Sequence, residues 1–234
     1  DSARLQLPFS GDPILKATEN FYLTGPQDSS AEPGTHFRHG GAAANTAYLD
    51  GHVEARSEVY VASPASYDAA ANELRSVKGD ATSVSSLVKS LHGPVVLVGH
   101  SYGGSVISEA ATGLDNVKAL VYVAAFAPDV GESAGELAGR FPGSSLGPAL
   151  APPVELADGG KDLYIEQDKF HAQFAADVPA AQASLMAVGQ RPVTDAALHE
   201  ASTSAAWKSI PSWFIYGSAD LNIPPAAQAF MAKR

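Results

Sequence analysis

Cysteine is missing from all 234 residues, which excludes disulfides, a thiolate nucleophile and cysteine-ligated zinc, although it assigns no compartment. Positive charge is scarce as well. Lys and Arg number 15 against 25 Asp and Glu, for a formal charge of −10, and the basic residues form no cluster. Such a surface repels phosphate backbones and anionic headgroups, so neither nucleic acid nor a membrane surface is an expected partner. No apolar run approaches the length that crosses a bilayer. The first residues have neither the basic start nor the apolar stretch of a secretory signal. What remains is an ordinary globular balance, 45% apolar and 17% charged, in a chain long enough for one large or two modest domains.

The sequence changes character near residue 80. Residues 1–79 are rich in polar turns and short strand-like runs. Within them Thr46-Ala47-Tyr48-Leu49, Asp50-Gly51 and His52-Val53-Glu54-Ala55-Arg56 read as a β-hairpin, because Asp-Gly accepts the positive φ angles of a two-residue turn. Residues 59–61 read as another strand, and 67–77 as a helix ending near Gly79. From 80 onward strands and helices alternate, the pattern of a parallel sheet. Asp80 is placed to cap a helix reaching Leu91, with Val84, Leu87, Val88 and Leu91 on one stripe. Val95-Val96-Leu97-Val98 is a continuous apolar run, as in a strand buried on both faces. Residues 117–125 and 212–216 form two more such strands, with helices expected at 105–112 and 225–233. The Ala- and Pro-rich stretch 127–206 reads as a cap, helical in pieces, laid over a site. The expected architecture is therefore α/β: a mostly parallel sheet with flanking helices and a helical cap (residues 80–234), preceded by a hairpin-bearing segment (1–79).

The chemistry concentrates in Gly99-His100-Ser101-Tyr102-Gly103-Gly104. A serine hydroxyl is a weak nucleophile unless a base takes its proton and its oxygen is presented to substrate. A Gly-x-Ser-x-Gly turn between strand and helix does the presenting, and Gly99, Gly103 and Gly104 let the two elements pass closely. Ser101 is the candidate nucleophile. The Tyr102 backbone N–H, at the start of the following helix, is the candidate oxyanion donor. A plain tight turn is the competing reading, and the strand before and helix after argue against it. Asp220 lies just past the last strand, in Tyr216-Gly217-Ser218-Ala219-Asp220, where a carboxylate can orient an imidazole. Its competing roles are helix cap or solvated loop acid; Asn222-Ile223-Pro224-Pro225 delays the helix start beyond it.

The run Pro94–Gly104, with Ala119-Leu120-Val121-Tyr122-Val123-Ala124-Ala125-Phe126-Ala127-Pro128, Trp207-Lys208-Ser209-Ile210-Pro211-Ser212-Trp213 and Ile223-Pro224-Pro225-Ala226-Ala227-Gln228, resembles small bacterial α/β-hydrolases of the esterase kind. The likeness covers about residues 80–234. It implies an α/β-hydrolase fold and Ser-Asp-His hydrolysis of small esters, with Ser101 and Asp220 at the nucleophile and acid positions. It also implies a histidine base beyond the acid, yet no histidine follows His199. A His-Gly oxyanion loop implied by the same family has no clear counterpart before residue 80. His100 belongs to the elbow and is expected to pack under the sheet; His92 is expected at the far end of the strand. His171 and His199 fall in the cap segment. None of these four matches the family's base.

Phe37-Arg38-His39-Gly40-Gly41, Ala44-Asn45 and Leu49-Asp50-Gly51-His52-Val53-Glu54 resemble the H-X9-DG tail motif of prepilin-like proteins, with ten residues rather than nine between His39 and Asp50. His39-Gly40-Gly41 as the hydrolase oxyanion loop is the competing account, although no buried strand leads into it. His39, Asp50 and His52 are a conceivable metal set, but an exposed hairpin offers no supporting shell of partners. No cofactor or metal is expected.

The leading expectation is a serine esterase, or a related lactone or acyl hydrolase, acting on a small-molecule ester, with Phe170, Phe174, Leu185 and Met186 lining an acyl pocket. The alternative is a catalytically impaired, mosaic or truncated hydrolase scaffold that serves as a binding or structural module. A sheet short of its edge strands would also favour a homo-oligomer.

Overall fold

Aliphatic runs that alternate with helix-forming segments build the centre of the protein. The computed structural model describes residues 73–234 throughout and, before them, strand segments only. Five strands make the main sheet: β1 (Val59–Ser63), β2 (Ser66–Ala69), β3 (Val95–Ser101), β4 (Val117–Ala125) and a late strand, Ser212–Ile215. Their order is Ser212–Ile215, β4, β3, β1, β2. β4 runs parallel to both neighbours, with Leu120 opposite Leu97 on one side and Ser212 on the other. β1 instead lies antiparallel to β3, Val61 opposite Leu97, and antiparallel to β2. The parallel half carries the site. Farther toward the N-terminus, Thr46–Ala47 pairs antiparallel with Val53–Glu54.

Residues 66–69 are strand, not the first turn of the helix expected over 67–77. Pairing with β1 overrides the helix preference of an alanine-rich stretch. The first helix, α1 (Val77–Ser90), begins three residues before the expected Asp80. Its cap is Ser76, whose Oγ accepts the Gly79 N–H at 2.9 Å, so Asp80 sits inside the first turn. Val84 and Val88 of α1 are fully buried, with Leu87 and Leu91 packed beside them against Leu97, Ile107 and Leu120. Each such aliphatic side chain is worth about 1.5–3 kcal/mol of burial.

Helix α2 (Gly103–Ala110) follows β3 after a single residue and is buried along nearly its whole length. Ser108 bridges it to the sheet, its Oγ 2.8 Å from the Tyr122 hydroxyl of β4. Burial pushes the Tyr122 phenol above its ordinary range, and the ring stacks on Phe214 at 4.5 Å. Between β4 and Ser212 come, in chain order, α3 (Ala134–Arg140), β5 (Val154–Glu155), β6 (Lys161–Leu163), α4 (Gln167–Phe174), α5 (Ala180–Val188), β7 (Val193–Thr194) and α6 (Asp195–His199), with β5, β6 and β7 paired in a small antiparallel sheet. Phe170, Ala183 and Met186 anchor a second, smaller core within that region. The late strand is thus β8 (Ser212–Ile215), and α7 (Pro225–Ala232) follows it.

Glu132 ties α3 to the end of α7. It accepts from Arg140 Nη1 at 3.0 Å, from Arg234 Nη1 at 2.5 Å and from the Asp129 N–H at 2.9 Å. Burial opposes its ionisation, but these three donors prevail and bring its pKa down to about 2. A carboxyl depressed in the fold stabilises fully above its unfolded pKa and loses that stabilisation as pH falls toward the folded one. The unfolding free energy read from denaturant titrations should therefore drop between pH 4.5 and about 2, by an amount on the order of 2 kcal/mol, and Glu132→Gln should flatten that limb. An unchanged acid limb in Glu132→Gln would contradict the assignment.

Candidate active site

Ser101 is the last residue of β3, and the chain reverses there into α2 through Tyr102. Its φ is +50°, a left-handed conformation that costs a side-chain-bearing residue roughly 1–3 kcal/mol and persists only where its surroundings impose it. The surroundings are glycines. A Cβ on Gly99 would fall 2.6 Å from the Gly103 carbonyl oxygen, and one on Gly104 2.2 Å from the Phe126 carbonyl oxygen. α2 therefore passes both β3 and the end of β4 at a spacing only glycine allows.

Neighbouring backbone is bent to match. β4 has a bulge where Val123 pairs with His100 and Ala125 with Ser101, leaving Ala124 between them at φ +42°. The Phe126 N–H donates to the Ser101 carbonyl at 3.0 Å. Leu74 is also left-handed, at φ +61°. These three are the left-handed non-glycine residues among the described residues, and all three line the space around Ser101.

That space is an apolar cavity of about 330 Å³, walled by Leu74, Tyr102, Phe126, Phe170, Phe174 and Met186, with Ser101 in its lining. Of the four side chains expected to line it, Leu185 does not: it is 77% exposed. Met186 faces inward on α5, and a helix turns about 100° per residue, which carries Leu185 outward. Gln190 and Arg191 supply polar edge to the cavity.

A narrow cleft beside it brings Ser101 and Asp220 together with His100, Phe174 and Asn222. Asp220 is buried; its Oδ1 accepts the N–H groups of Asn222 (2.8 Å) and Ile223 (3.0 Å), and its Oδ2 accepts Gln228 Nε2 at 2.8 Å. It closes the turn after β8 without capping α7, whose cap position is Pro224. The His100 ring lies edge-on to Phe174, with centroids 6.4 Å apart, on the cleft side and not beneath the sheet as expected. His171 and His199 line neither space. His171 Nε2 is 2.8 Å from the Val178 carbonyl oxygen, and His199 packs on Gly135 with Nδ1 2.9 Å from the Asp195 carbonyl oxygen. Among the described residues no group of three or more His, Asp or Glu could hold a metal, and no helix is long and apolar enough to cross a membrane. His39, Asp50, His52, the glycines at 40–41 and the H-X9-DG motif lie outside the described residues.

Over residues 34–234 the sequence matches the alpha/beta hydrolase family. The chain belongs to that family. The match takes in the segment from 34 to 79 that composition sets apart from the rest. Among alpha/beta hydrolases, the chain is 34% identical over 150 residues to alpha/beta hydrolase nvfD of Aspergillus novofumigatus, covering 60% of itself and 57% of that protein's length. Polyneuridine aldehyde esterase has a similar structure, with a TM-score of 0.57 at 17% identity over 69% of this chain and 68% of the other. An extracellular alpha/beta-hydrolase from a Paenibacillus species gives 0.55 at 24% identity over 70% and 69%. A methylesterase from Arabidopsis, MES16, gives 0.51 at 19% over 68% and 64%. These structural likenesses concern the fold; the alpha/beta hydrolase architecture expected from the sequence is the one observed.

Proposed function

We propose that this alpha/beta hydrolase is a serine hydrolase of small carboxylic esters, or of related lactones or acyl compounds, with Ser101 as nucleophile. The observation that carries the reading is the left-handed Ser101 at the junction of β3 and α2, lining an apolar cavity. In it, the Ser101 oxygen attacks the ester carbonyl, the Tyr102 N–H at the start of α2 bonds to the developing oxyanion, and a base takes the hydroxyl proton. Expulsion of the alcohol leaves an acyl-serine, which water cleaves to regenerate the hydroxyl. Asp220 is assigned the task of orienting and charge-balancing the base. The cavity walls favour an ester with an aliphatic or aromatic acyl or alcohol portion, and Arg191 places one cationic group at its edge.

One observation favours the second reading, an impaired scaffold that binds without turning over. Both Asp220 oxygens already accept hydrogen bonds within the turn after β8, Oδ1 from the Asn222 and Ile223 N–H groups and Oδ2 from Gln228 Nε2. A fluorophosphonate probe separates the two. Rapid labelling, mapped by peptide mass to Ser101, supports the hydrolase; a folded protein that stays unlabelled supports the scaffold.

A further inference from the structure

We propose that Asp80 is a positioning residue for the hydrolytic site, locking Tyr102 and the strained turn at Leu74 in register with Ser101. The inference rests on the serine hydrolase reading above. Asp80 is 2% exposed, in the first turn of α1, and a carboxylate so enclosed is costly unless its oxygens are engaged. They are engaged by the site. Oδ2 accepts the Tyr102 hydroxyl at 2.9 Å, and Oδ1 accepts the Glu73 N–H at 2.9 Å, with the Leu74 backbone bonded as well.

Each partner leads to the reacting centre by one covalent step or by one wall. Tyr102 follows Ser101, carries the assigned oxyanion N–H, is 2% exposed and lines the cavity. Leu74 also lines the cavity; its φ of +61° is held from the Asp80 side and by the Thr194 N–H, which donates to the Leu74 carbonyl at 3.0 Å. A helix-capping role does not account for the carboxylate, because Ser76 already caps α1. Nor does stability alone, since an apolar side chain at such a position is commonly as stable as a buried charge. Burial holds the Asp80 carboxyl above its ordinary range, and the Tyr102, Glu73 and Leu74 donors pull only part of the way back. What the carboxylate adds is direction: it fixes the phenol, hence the backbone, of the residue after the nucleophile. Displacements well under 1 Å at such a donor change rates severalfold or more.

The test compares Asp80→Ala, Asp80→Asn, Tyr102→Phe and the Asp80→Ala/Tyr102→Phe pair on p-nitrophenyl butyrate. Asn keeps the geometry: its amide oxygen can accept the Glu73 N–H while its amide N–H donates to the Tyr102 oxygen. The expected result is a fall in kcat of about tenfold in Asp80→Ala and Tyr102→Phe, with KM within about twofold. The double variant should be no slower than the slower single one, and Asp80→Asn should stay near wild type. In fluorotyrosine-labelled protein, the Tyr102 resonance, identified by its loss in Tyr102→Phe, should move in Asp80→Ala. Folded variants with unchanged kcat, or a Tyr102 resonance that does not move, overturn the positioning role and leave the hydrolase reading intact. A wild-type chain that neither turns over ester nor takes the fluorophosphonate overturns both.

Discussion

Replacing Ser101 with alanine is expected to lower kcat/KM for p-nitrophenyl esters by roughly 10³-fold or more while leaving KM within a small factor. The asymmetry follows from where the hydroxyl sits. It contributes the bond-forming atom and almost none of the cavity wall, which is built by Leu74, Phe126, Phe170, Phe174 and Met186. Substrate should still bind, and the Tyr102 N–H should still polarise its carbonyl, so a slow water reaction above background is expected to survive. Fluorophosphonate labelling should vanish, since it requires the oxygen itself.

Stability should not follow activity. Residue 101 stays left-handed in the alanine variant, so its melting temperature should match wild type. Ser101→Gly removes the left-handed strain and should be at least as stable despite being inactive, because the gain offsets the added chain entropy of glycine. Loss of ester turnover with a large fall in melting temperature would place Ser101 in the packing, and retained turnover in Ser101→Ala would end its assignment as nucleophile.

Much of this site was legible because its determinants are local. Gly99, Ser101, Gly103 and Gly104 fall within six consecutive positions, and the apolar run before them predicts a buried strand from its own composition. The strand Val117–Ala125 has the expected bounds for the same reason. What local pattern could not reveal are contacts made across the chain. Asp80 and Tyr102 are 22 positions apart, and nothing in either neighbourhood marks them as partners; a polar residue in a helix's first turn reads as a cap whether or not its side chain turns inward. Leu74 carries no signal for a left-handed backbone, because the strain is imposed by Thr194 and Asp80 from other elements. Leu185 and Met186 are both apolar neighbours on one helix, and only the orientation of α5 against the cavity separates them. His100 illustrates the converse limit: the Gly-x-Ser-x-Gly pattern locates its backbone, while the bend at Ser101 and the approach of Phe174 decide which side its ring takes.

The largest stability effect is expected from the smallest substitution. Gly104→Ala adds one methyl group that would stand 2.2 Å from the Phe126 carbonyl oxygen, 3.1 Å from its carbon and 2.9 Å from the Ala125 Cβ. Two of these neighbours are backbone atoms, so no side chain can rotate away. Relief must come from moving α2 off β4, and residue 126 is not free to yield, because its N–H donates to the Ser101 carbonyl at 3.0 Å. Overpacking of this kind should cost about 3 kcal/mol or more, lowering the melting temperature by roughly 10 °C in a chain of this size. The same shift drags the start of α2, and with it the Tyr102 N–H, away from Ser101, so ester turnover should fall even at temperatures where the variant is folded. Gly139→Ala is the matched control: it lies in α3 with nothing within 4 Å of the added carbon, and should gain about 0.5–1 kcal/mol from helix propensity alone. If Gly104→Ala melts with wild type while Gly139→Ala gains as expected, α2 does not pass the end of β4 at the close spacing assigned to it.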